Sequence, residues 1–164
     1  MTGLQIFTLI HVAISLAGIA SGFVVLCGLL AGKRLDGWTA FFLATTVATS
    51  VTGFGFPYHG FTPGIALGIL SLVLLAGAIY ARYARRLAGP WRPAYVVTAV
   101  AALYFNVFVL IVQSFQKVPA LKALAPTQSE RPFAVAQLLT LVAFLTLGYM
   151  AAVRFRDRAV EVIS

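Results

Sequence analysis

No aspartate, glutamate, lysine or arginine lies deep inside any of the five long apolar runs that fill this 164-residue sequence. Charged residues make up 10% of the chain and only 4 are acidic, where a soluble domain carries about 25% charged residues. A chain this poor in charge cannot cover itself with a surface that water accepts. The same scarcity argues against carboxylate-based proton or cation coupling, which uses an ionisable side chain near the middle of the membrane.

Cysteine is almost missing. Cys27 is the only one, so the chain can form no internal disulfide and offers no thiol pair to a metal. Inside the first run it reads as a small apolar filler. The opening residues Met1 to Gln5 contain no basic side chain, and the run from Leu4 to Ala31 far exceeds the ~7–15 residues of a signal-peptide core. The first run is therefore expected to be a retained span. No serine sits in a strained, glycine-flanked turn, which argues against a serine nucleophile. Two histidines and one outer glutamate are too far apart in sequence to form a metal-binding motif.

What the sequence does have is hydrocarbon. Hydrophobic residues make up 61%, and the mean hydropathy is +0.97. Each run is long enough to cross a bilayer as a helix, which takes ~20 residues, and the first is long enough to tilt. The expectation is an all-α, polytopic membrane protein with a single domain over 1–164. Its spans fall at roughly 4–31, 38–56, 63–82, 93–115 and 132–153. Asp36 is placed to cap the second helix, and Pro57 stops it. Thr62-Pro63 is a strong start for the third, which runs on as a solvated extension through Arg86 until Gly89-Pro90. The fifth begins after a cap at Thr127, with Glu130 reaching back to it, or at Ser129. The long loop before it contains 119–124, either a short interfacial helix or an extended connector.

The basic residues fix an orientation. Lys33, Arg34, Arg82, Arg85, Arg86, Arg92, Arg154, Arg156 and Arg158 fall on one side; Lys117, Lys122 and Arg131 fall on the other. The positive-inside rule gives the richer side to the cytoplasm, with the N-terminus outside, the C-terminus inside and the chain in a cell inner membrane. Trp38 and Trp91 then lie at the cytoplasmic headgroup level. The net charge of +8 is explained by topology and lipid headgroups, and no nucleic-acid partner is expected. The lipid bilayer is the obligate partner. Gly18-x-x-x-Gly22, Gly28-x-x-x-Gly32 and Gly64-x-x-x-Gly68 supply close-packing faces, either within the bundle or towards a second copy or a larger membrane partner.

The polar residues inside the runs collect near the outer side. His11 shares a helical stripe with Thr8, Ser15, Gly18 and Gly22. His59 lies in the outer loop. Asn106 and Gln113 are seven residues apart on the fourth run, with Lys117 beyond them, and Gln137 lies two turns below Glu130. An outward-facing polar pocket formed by His11, His59, Asn106, Gln113, Gln137 and Glu130 is the candidate ligand site. It would take a haem b, through axial imidazole, a quinone hydrogen-bonded by His11 and Gln113, or a small carried solute. Each group also has a plain structural role: Ser and Thr bonding to a carbonyl four residues back, Asn and Gln bridging helices, His59 ordering a turn, Glu130 capping. If those roles hold throughout, the chain is an accessory or assembly subunit of a larger complex.

Overall fold

The computed structural model describes residues 2–57 and 60–156, which are helical with no strand among them. Helix α1 spans Gly3–Leu30, α2 Asp36–Gly53 and α3 Pro63–Ile79; a π-helical turn over Tyr80–Ala84 extends α3, and α4 spans Trp91–Lys117, α5 Pro119–Leu124 and α6 Arg131–Arg154.

Four of these helices are long and apolar enough to cross a membrane: α1, α3 with its π-helical turn, α4 and α6. The remaining long helix, α2, has 18 residues and carries threonine at 39, 45, 46, 49 and 52. Much of that polarity is satisfied locally. The Thr45 hydroxyl donates to the Phe41 carbonyl at 2.7 Å and Thr52 to the Ala48 carbonyl at 2.7 Å, the back-bonding that lets threonine sit inside a helix.

Helices α1 and α2 pack along their length, and α3 and α4 complete a four-helix core. Its densest part lies at the end holding the α1–α2 turn, where Leu29, Phe42, Leu75, Tyr95 and Phe155 are buried. Helix α6 packs on α4 and α1 and buries only Phe144 and Ala151. The close approach of α1 depends on missing side chains. A Cβ on Gly22 would stand 2.5 Å from Leu103 Cδ1 and 2.9 Å from Phe42 Cε2, and one on Gly18 would stand 3.3 Å from Thr45 Oγ1. The Gly18–Gly22 pair is thus engaged within this chain.

Several ends differ from the sequence expectation. Asp36 is not the cap of α2. Leu35 holds that position in the left-handed region (φ 42°) with no side-chain capping bond, and Asp36 is the first helical residue, its carboxylate drawn to two arginines. Helix α2 stops at Gly53, before Pro57. The extension of α3 ends at Ala84 rather than at Gly89-Pro90, because Arg86 (φ 52°) and Leu87 (φ 59°) turn left-handed and Leu87 inserts into the core. Glu130, with no side-chain capping bond, holds the N-cap position of α6 in place of Thr127 or Ser129, while its carboxylate does reach back to Thr127 N as expected. Residues 119–124 form the short helix α5, with Leu124 and Lys122 both exposed.

Candidate functional site

His11 faces α2. Its Nδ1 lies 2.8 Å from Thr52 Oγ1, whose hydroxyl also reaches the Ala48 carbonyl. One hydrogen is shared between His11 Nδ1 and Thr52 Oγ1, and the tautomer of the ring decides which of the two donates. Phe56 packs edge-on to the ring with centroids 5.1 Å apart, and Phe7 stacks behind Phe56 at 5.0 Å. The backbone of Gly53 also lies close, since a Cβ there would come 3.8 Å from His11 Cε1.

The other expected site residues among those described point elsewhere. Asn106 Nδ2 donates to Thr46 Oγ1 at 3.5 Å, joining α4 to α2. Gln137 Nε2 donates to the Phe108 carbonyl at 3.3 Å, joining α6 to α4, and its Oε1 is buried without a hydrogen bond. Gln113 is exposed on α4. Glu130 closes the turn before α6, accepting from Thr127 N at 3.1 Å, Thr127 Oγ1 at 2.9 Å and Ser129 N at 3.1 Å. Slight desolvation pushes its carboxyl up, but these donors outweigh it and hold the group below its ordinary value. His59 lies outside the described residues. Among the described residues no hydrogen bond links any two of the expected site residues, and no group of three His, Cys, Asp or Glu could hold a metal ion.

A b-type haem needs an imidazole facing a slot as wide as the macrocycle. Between α1 and α2 that slot is closed by Thr52, Phe56 and the Gly53 backbone against the His11 ring, so haem does not fit between these two helices.

At the opposite end lies a cluster the sequence reading left among solvated topology charges. The Arg82 side chain is 1% exposed. Its Nη2 pairs with Asp36 Oδ1 and donates to the Arg34 carbonyl at 3.3 Å. Asp36 also meets Arg34 Nε at 3.4 Å. The guanidinium lies over the Tyr95 ring, 5.2 Å from its centroid. Tyr95 Oη and Arg82 Nη1 are both buried without a hydrogen bond. The signal was available: Ser71, Leu75, Ala78 and Arg82 follow one another by steps of four, three and four, so Arg82 continues the buried stripe of α3.

Gln128 was also missed. It ties the long loop to α4 by donating from Nε2 to the Val112 carbonyl at 2.9 Å.

Compared with models of known families, with curated proteins and with solved structures, the chain matches none.

Proposed function

We propose that this chain is a non-catalytic accessory subunit of an inner-membrane complex, built as five crossings with the N-terminus outside and the C-terminus in the cytoplasm. The observation that carries this reading is the use of the intramembrane polar groups. His11 joins α1 to α2, Asn106 joins α4 to α2 and Gln137 joins α6 to α4. Bonds of this kind contribute roughly 0.6–2 kcal/mol each to helix association in lipid. They act inside the bundle, which favours a structural role over a shared polar pocket for a solute, quinone or haem.

Helix α2 is the fifth crossing in this reading. Its 18 residues rise about 27 Å, close to the ~30 Å of hydrocarbon. It packs against α1, α3 and α4 rather than lying across the bundle ends. An odd number of crossings puts the termini on opposite sides, in keeping with the basic-residue count.

The partner would dock on α6, whose Leu138, Val142 and Leu145 are 59%, 53% and 64% exposed. A photo-crosslinking residue replacing Leu138 is expected to give, in native membranes, one adduct of fixed mass with another membrane protein, and His11→Phe should leave that adduct in place. Self-adducts alone, or a purified protein with a Soret band that His11→Ala abolishes, would overturn the proposal.

A further inference from the structure

We infer that the buried guanidinium of Arg82 and the Tyr95 hydroxyl bind one small monovalent anion of the halide class, which enters beside Asp36. The Arg82 side chain is 1% exposed and Tyr95 is 0% exposed. The guanidinium lies 5.2 Å from the Tyr95 ring centroid, so the two side chains are in contact. Each keeps a donor without a partner among the described residues, Arg82 at Nη1 and Tyr95 at Oη. The large majority of buried polar groups are paired, and two unpaired donors on touching side chains are accounted for by a single acceptor that meets both. The buried hydroxyl of Thr39 supplies no third donor, because it directs its hydrogen to the Arg34 carbonyl at 3.2 Å.

Charge favours an anion over a water molecule. Two guanidinium groups, Arg34 and Arg82, share the Asp36 carboxylate, so these three side chains carry one positive charge in excess. Asp36 is 72% exposed, and the water around it weakens its hold on the buried cation. Asp36 and Glu130 are the acidic residues among those described, and Glu130 closes the turn before α6 at the other end of the bundle. A water molecule would satisfy both donors and leave the excess charge where it is. A halide satisfies both and offsets it. Phosphate or sulfate would bring four oxygens to two donors, and the oxygens left over would be buried unpaired. Asp36 marks the approach, since its exposed carboxylate pairs with Nη2 of the same guanidinium. The inference does not depend on whether the chain is an accessory subunit.

The test uses the full chain in dodecyl maltoside micelles, dialysed against radiolabelled chloride in sodium gluconate at constant ionic strength. One saturable chloride per chain is expected, and the thermal midpoint read by circular dichroism is expected to rise as chloride replaces gluconate. Tyr95→Phe keeps the ring and removes one donor. It is expected to stay folded in gluconate and to weaken chloride binding by about tenfold or more, the factor that a hydrogen bond to a charged group supplies. Asp36→Ala with Arg82→Leu is expected to bind none. Asp157 follows the buried Phe155 by two positions in the sequence and is the carboxylate to control for; Asp157→Asn is expected to leave chloride binding unchanged. Absence of bound chloride in the unaltered protein would overturn the inference, because a neutral water then suffices for the two donors. Equal binding by folded Tyr95→Phe would overturn it as well. So would chloride binding that appears only in Asp157→Asn, because the acceptor would then be the chain's own carboxylate.

Discussion

Asp36→Ala is expected to lower the stability of the bundle by about 3 kcal/mol, measured by denaturant unfolding in mixed micelles with circular dichroism. Removing one member of an ion pair that has a buried partner costs about 3–5 kcal/mol, because the remaining charge is left without compensation. The lower figure applies here because Asp36 is itself 72% exposed while Arg82 is 1% exposed. The Arg34 carbonyl is too weak a partner to hold the guanidinium charge, and Arg82 Nη1 already lacks a hydrogen bond. The cost belongs to the buried cation, so the double variant Asp36→Ala with Arg82→Leu is expected to recover most of the loss. A double variant that loses the sum of what Asp36→Ala and Arg82→Leu each lose alone would show that Arg82 is not held by Asp36.

Gly22 carries the second large effect. A methyl group at this position would overlap Leu103 and Phe42, each 1% exposed. Overpacking a tight contact costs typically about 1–3 kcal/mol, so Gly22→Ala is expected near the top of that range. Gly22→Leu should separate α1 from α2 and α4 and prevent recovery of folded protein. Gly37→Ala is the control. Nothing lies within 4 Å of its added Cβ, and alanine is the better helix former by about 1 kcal/mol. A Gly37→Ala variant that loses as much as Gly22→Ala would mean that these losses do not come from packing.

The long apolar helices were legible because charge is so scarce in them and because a membrane fixes the length of a crossing. Thr62-Pro63 marked the start of α3 correctly, and the Thr62 hydroxyl accepts from Ile65 N. Two of the edges that misled, the start of α2 and the end of α3, are those where the backbone takes a left-handed turn on a bulky residue. Leu35, Arg86 and Leu87 have no local propensity for positive φ, and tertiary packing of Leu87 (0% exposed) and of Leu35 against Gly28 holds them there.

The polar residues inside the helices were harder to place, for a different reason. Helical spacing gave the correct face for His11 and for Asn106, but not what stood opposite. Asn106 and Gln113 share one side of α4, yet α2 ends at Gly53, so Asn106 meets Thr46 while Gln113, two turns further out, is exposed. Of the residues grouped by depth, His11, Asn106 and Gln137 belong to three separate helix contacts. Arg82 was overlooked because counting it with the other basic residues set aside its place on the buried stripe of α3.

Five crossings require α2 to cross the bilayer between two aqueous sides. Single cysteines placed at Lys33, Phe61, Ala88, Pro126 and Arg156 in a Cys27→Ala background, treated with a membrane-impermeant maleimide on intact cells, test this directly. Labelling is expected at positions 61 and 126 without permeabilisation, and at 33, 88 and 156 only after it. Labelling of positions 33 and 61 from the same side would mean that α2 does not cross, and would contradict the five-helix arrangement.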